Sequence, residues 1–267
     1  MKRIMVFPLV LILALMIIMG GCSNSTEPQT KNPGDPDDPI AIETQAKTDE
    51  YIDCVLESFN NGIGWLDYDG SGYLAKPADT LFLIMYDDYW YEFYLDFALD
   101  SSSMVMVDSF RFEQGDAYQE LPDSNTTAFE YRTRLDGEYN NADTSMSVTY
   151  HDAYRFTGIN TDEITVNGTS IAEQEGNISQ VEVSFGFSCE LSDIVFLTQD
   201  INYEGDNYPV SGTAVVEVEI YTSDQIDDIP AMNISWTLTV TFNENGYHAR
   251  LESDENYWEW DETWGPV

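Results

Sequence analysis

The pattern with the most definite chemistry is Asp67-Tyr68-Asp69-Gly70-Ser71-Gly72-Tyr73-Leu74. Asp67, Asp69 and Ser71 alternate around a glycine, so three short oxygen-bearing side chains can converge on a hard cation such as calcium. The second half of such a loop is missing. Ala78 stands where a bidentate glutamate is needed, Asp79 comes one residue late, and Pro77 blocks an exiting helix. A hairpin turning through Asp69-Gly70 accounts for the same residues, and we prefer it to the calcium reading. Aromatic side chains form the second group. Trp90 and Tyr94 lie on the polar side of an alternating run, and Trp258, Trp260 and Trp264 crowd the C-terminus. Rings flanked by carboxylates suit a carbohydrate ligand, through stacking and hydrogen bonds to hydroxyls; rings are also ordinary strand and core residues. Cys54 and Cys189 form either a disulfide, outside the cytoplasm, or two buried thiols. Catalytic signatures are lacking. His151 and His248 have no metal-ligand spacing, and the chain holds no nucleophile elbow, phosphate loop or Cys-x-x-Cys. A carboxylate pair for glycoside hydrolysis is permitted by 49 acidic residues, but nothing singles one out. The sequence thus assigns no catalytic residue, and no cofactor beyond the calcium alternative.

These residues have to be positioned by strands and one helix. Ile52, Val55, Leu56 and Phe59 fall at i, i+3, i+4 and i+7, which predicts a helix capped by Thr48 or Asp49 and ended by Asn60-Asn61-Gly62. The period then changes to two. Over 87–99, Tyr89, Tyr91, Phe93, Leu95, Phe97 and Leu99 alternate with Asp88, Trp90, Glu92, Tyr94 and Asp96. Over 231–243, Met232, Ile234, Trp236, Leu238, Val240 and Phe242 alternate with Asn, Ser and Thr. Each run predicts a strand buried on one face. Weaker alternation marks 104–113, 127–139, 145–157, 162–174, 180–191 and 210–222. Turn pairs fall at Asp136-Gly137, Asn167-Gly168, Gly205-Asp206 and Asn245-Gly246, and Asn167-Gly168 suggests that 162–174 is a hairpin. One helix followed by strands without helical crossovers predicts a mainly β fold. We expect a curved antiparallel meander or barrel-like sheet of about 10–12 strands in one domain over 48–267.

The N-terminus has the order of an export signal. Lys2 and Arg3 precede the uncharged stretch 4–19, which Gly20-Gly21-Cys22 closes. With Pro8 inside it, this run falls short of the ~20 residues that span a bilayer. Small residues directly before a cysteine resemble the lipobox of bacterial lipoproteins, with Met19 where that family usually has leucine. The resemblance implies a signal peptide over 1–21 and a lipid on the Cys22 thiol. Two or three acyl chains, at roughly 0.8 kcal/mol per buried methylene, would hold the chain on a membrane in the cell envelope. Ser23 follows the cysteine where an aspartate would resemble the inner-membrane retention signal of enteric bacteria. In a cell with two membranes the outer one is therefore favoured, facing periplasm or exterior. Residues 23–47 carry Pro28, Pro33, Pro36 and Pro39 and no aromatic residue, so 22–47 is expected to be a lipidated, disordered tether.

Charge limits the partners. Loss of Lys2 and Arg3 with the signal leaves 8 basic residues against 49 acidic ones, a formal −41. Nucleic acid and anionic headgroups are disfavoured. A curved antiparallel sheet on a lipidated tether resembles, in architecture, the periplasmic lipoprotein carriers of the LolA/LolB type. The segments Tyr208–Thr213 and Val240–Asn243 are similar to strand ends of uncharacterised bacterial lipoproteins. The reading is a non-enzymatic envelope lipoprotein that binds an apolar or amphipathic ligand such as a lipid, or serves as a scaffold. The alternative is a surface carbohydrate-binding lipoprotein that uses Trp90, Tyr94, Trp258 and Trp260.

Overall fold

The computed structural model describes residues 32–38, 41–42, 44–46, 48, 52, 83–85, 89–99, 101–198, 207–225, 231–254 and 256–264. Alternation along these segments yields thirteen strands. They are β1 (Asn32–Pro33), β2 (Leu83–Met85), β3 (Tyr91–Leu99), β4 (Ser102–Gln114), β5 (Ala117–Gln119), β6 (Ala128–Asn140) and β7 (Thr144–Thr157), followed by β8 (Glu163–Ile178), β9 (Val181–Leu197), β10 (Ser211–Thr222), β11 (Met232–Asn243), β12 (Gly246–Ser253) and β13 (Asn256–Thr263). All join one sheet in the order β1-β13-β12-β11-β10-β9-β8-β7-β6-β4-β3-β2, with β5 a side hairpin on β4. Every pairing is antiparallel except β1 on β13. The sheet is curved and open, so the mainly β meander expected from the sequence is the fold, without closure into a barrel.

Short turns set the register. Gly246 pairs with Asn243 around Glu244-Asn245, close to the expected Asn245-Gly246 turn. Two other expected turns are not turns. Asp136-Gly137 lies inside β6, whose hairpin to β7 turns instead through 141–143, where the Asn141 side chain accepts from the Asp143 and Thr144 amides. Asn167-Gly168 lies inside β8, so 162–174 is part of one strand rather than a hairpin. The register of β8 on β9 shifts between Val166 and Gly168, where Asn167 faces a bulge made by Ser192 and Asp193 of β9, with Asp193 at a φ of 51°. Gly168 is required there, because a Cβ would stand 2.3 Å from the carbonyl oxygen of Ala153. The expected turn at Gly205-Asp206 lies outside the described residues.

One side of the sheet is the core. Phe110, Phe112, Phe129, Phe156, Ile194 and Leu238 are fully buried on it. The aromatic rings pack as a chain across strands, with centroid separations of 5.7 Å for Phe110–Phe112, 5.4 Å for Phe112–Phe129 and 5.6 Å for Phe129–Phe156. Backbone at 41, 42, 44–46, 48 and 52 is helical, and Ala41, Thr44, Thr48 and Ile52 are buried. Ala41 and Ile52 join the sheet's core cluster. The helix is thus already under way at residue 41, ahead of the expected cap at Thr48 or Asp49. The rest of the predicted stripe, Val55, Leu56 and Phe59, lies outside the described residues.

Part of the segment 22–47, expected as a tether, is folded against the sheet. Asn32 and Pro33 pair with Asn256 and Tyr257, and Gly34 donates its amide to the Tyr257 carbonyl at 2.8 Å. The indole N–H of Trp258 donates to the Asp35 carbonyl at 2.8 Å. Composition missed this contact because the apolar surface comes from the far end of the chain. Local proline content reports only what a segment can bury on its own.

Candidate functional site

The inner, core-facing side of the sheet carries a polar row that runs across the strands. In register, Phe93 pairs with Asp108, Asp108 with Thr133, Thr133 with Asp152, Asp152 with Ser170, and Ser170 with Cys189. Strand alternation puts all five described arginines (111, 132, 134, 155 and 250) and both histidines on the other side. Two carboxyl groups therefore sit among aromatic and aliphatic side chains with no basic residue on their face among the described residues.

Hydroxyl groups satisfy them instead. Tyr150 donates to Asp152 Oδ2 at 2.6 Å, Tyr154 to Oδ1 at 3.4 Å, and Ser170 adds a further bond. Thr133 and Tyr131 both donate to Asp108 Oδ1, at 2.8 Å and 3.4 Å. Loss of water raises the Asp152 carboxyl to about 6; the three hydroxyl bonds oppose that rise, and the nearby Asp108 charge adds to it. Burial likewise raises Asp108, against the bonds from Thr133 and Tyr131. Tyr131 is pushed up by burial and by the Asp108 charge, so its hydroxyl stays a donor.

The row divides two unequal halves of the inner face. On one side lies the filled core of Phe110, Phe112, Phe129 and Phe156. On the other, Met104, Met106, Leu135, Val148, Ala172, Phe185 and Ile220 are only half-buried. Leu95 and Phe97 there are 39% and 36% exposed. Apolar side chains pointing inward yet left half-covered, beside ionisable groups without a basic partner, form a surface matched to an amphipathic molecule.

The residues singled out in the sequence are placed as follows. Trp90 is buried on the outer side, where the guanidiniums of Arg111 and Arg132 stack on its ring at 4.5 Å and 4.2 Å. Glu130 pairs with Arg111 at 2.8 Å, and Arg155 with Glu113 at 2.6 Å. Tyr94 is 52% exposed. Trp258 and Trp260 are half-buried and point to the inner side from β13. The four rings are thus divided between both sides of the sheet and do not form the single exposed row that a flat sugar platform requires. Cys189 is buried with a free thiol, while Cys54 lies outside the described residues. So do Cys22 and the calcium candidates Asp67, Asp69 and Ser71. Among the described residues no cluster of three His, Cys, Asp or Glu could hold a metal, and no helix is long and apolar enough to cross a membrane.

Asp108 and Asp152 were not singled out by sequence reasoning. The signal was available: both fall in the apolar phase of their strands, with Met104, Met106 and Phe110 in β4 and with Val148, Tyr154 and Phe156 in β7. No protein-family model, curated protein or solved structure matches this chain.

Proposed function

We propose that this protein is a lipid-anchored lipoprotein of the cell envelope that holds an amphipathic ligand against the half-covered part of its inner face and carries out no chemistry on it. The observation that carries the reading is the strip from Leu95 and Phe97 through Met104, Met106 and Leu135, bordered by the Asp108–Asp152 row. An alkyl chain would cover the strip and gain about 25 cal/mol per Å² of apolar surface removed from water. A head group that donates hydrogen bonds, an amine or a hydroxyl, would meet the carboxyl oxygens. Oδ2 of Asp108 accepts no hydrogen bond from the described residues and suits such a donor. The lipobox resemblance supports an anchor at Cys22, which would keep the sheet near a source of amphiphiles.

A photoreactive long-chain amine, added to the full-length protein displayed on phosphatidylcholine vesicles, tests the reading. Adducts should map to β3, β4 and β6 and be competed away by unlabelled long-chain amine. Labelling spread over both sides of the sheet, or no labelling above that of a second lipoprotein, would leave the protein as a scaffold.

A further inference from the structure

Asp108 and Asp152 lie one row away from the half-covered apolar strip. Leu95, Met106, Leu135 and Tyr150 pair in register across β3, β4, β6 and β7, and Phe93, Asp108, Thr133 and Asp152 form the neighbouring row. Rows on one face are two residues, or about 7 Å, apart along a strand. An alkyl chain on the strip thus brings its head group within reach of the carboxyls. Five neutral donors already serve them: Thr133 and Tyr131 on Asp108, and Tyr150, Tyr154 and Ser170 on Asp152. Burial nevertheless raises both carboxyls, because hydroxyl dipoles replace only part of what water gives an ionised group. What the row lacks is positive charge. The other titratable groups in and beside it are Tyr131, Tyr150, Tyr154 and Cys189, and no Lys, Arg or His joins them among the described residues. Asp108 is only half-buried, and its Oδ2 accepts no hydrogen bond from the described residues and is not sealed from solvent.

Given an amphiphile on the strip, as proposed above, we infer that its head group is cationic: a long-chain alkylammonium with N–H donors and no phosphate or carboxylate. An ammonium donates to Asp108 Oδ2 and supplies the charge that both carboxyls lack, in a hydrogen bond about twice as strong as a neutral one. A hydroxyl head adds only one more neutral dipole to the five in place. A phosphate or carboxylate would face two acidic groups with no base on their face to meet it, and the formal charge of −39 disfavours its approach.

Isothermal titration calorimetry of the whole chain with decylamine, decanol and decanoate, in salt high enough to screen surface charges, tests this. At pH 8 the amine keeps its charge and Asp152 has lost its proton. Decylamine should bind once per chain, about tenfold or more tighter than decanol, and decanoate should not bind. Asp108→Asn should bring decylamine down to the level of decanol and leave decanol unchanged. Asp152→Asn should weaken decylamine severalfold and remains decisive if Asp108→Asn does not fold. Glu173→Gln, at an exposed position on the outer side of β8, should change nothing. Decanol or decanoate binding as tightly as decylamine overturns the cationic head group while the amphiphile reading stands, as does decylamine binding indifferent to both aspartate substitutions. No saturable binding of any probe overturns the two together.

Discussion

Replacing Asp152 by asparagine should stabilise the protein in mildly alkaline solution and do little in acid. Burial holds the folded carboxyl at about 6, against an ordinary 3.8 for the unfolded chain. As pH rises, the unfolded chain therefore gives up this proton first. The group's contribution to stability is full below about 4, is lost as pH climbs towards 6, and stays lost above it. The gap between 3.8 and about 6 corresponds to about 3 kcal/mol. Asparagine keeps one acceptor oxygen for Tyr150 but gives up part of the set made by Tyr154 and Ser170, at roughly 1 kcal/mol. The variant should then be about 2 kcal/mol more stable than wild type at pH 8 and up to about 1 kcal/mol less stable at pH 4. Urea unfolding followed by tryptophan fluorescence, on both proteins across pH 4–8, measures the difference, in which the titration of carboxylates remote from the Asp108–Asp152 row cancels. A difference that does not change with pH, or one that favours wild type at pH 8, would refute the reasoning.

Gly34→Ala should loosen the N-terminal segment, because a Cβ there would meet the Trp258 ring at 2.1 Å; limited proteolysis should cut faster around 32–48 while β3–β13 stay intact. Ser179 and Gln180 form the two-residue β8–β9 turn with φ of 52° and 75°, so the double substitution Ser179→Asn with Gln180→Gly should add about 1 kcal/mol in urea unfolding. Phe129→Ala removes a fully buried ring in contact with Phe110, Phe112 and Phe156 and should cost about 4 kcal/mol in the same assay. A double-mutant cycle on Trp90 and Arg132 should return a coupling of about 1 kcal/mol or less, as the guanidinium is half in water.

How much was legible in the chain follows from what each signal measures. The run 231–243 alternates almost without fault and becomes β11, Met232–Asn243, because one face is core along nearly its whole length. Alternation in 87–99 likewise foretold β3, although Leu95 and Phe97 end half-open because the filled core does not reach that part of the face. Turn pairs misled for two reasons: at Gly168 crowding by the Ala153 carbonyl, not turning, demanded glycine, whereas Gly137 sits inside β6 with room for a Cβ and signals no turn there. The parallel pairing of Asn32–Pro33 had no local signal, since two main-chain residues at a sheet edge leave no pattern. The acidic pair went unnoticed because, among 49 acids, a single aspartate looks like solvated surface until its phase in the strand is checked.

Whether the inner face beside Asp108 and Asp152 holds an amphiphile is tested most directly by mass spectrometry of the lipids extracted from the purified full-length protein, with any covalently attached lipid counted separately. The expected result is close to one non-covalent amphiphile per chain, carrying an amine or hydroxyl head group and depleted when Leu135→Glu places a charge in the strip. An amphiphile content equal to that of an unrelated protein purified in the same way, and indifferent to Leu135→Glu, would contradict it.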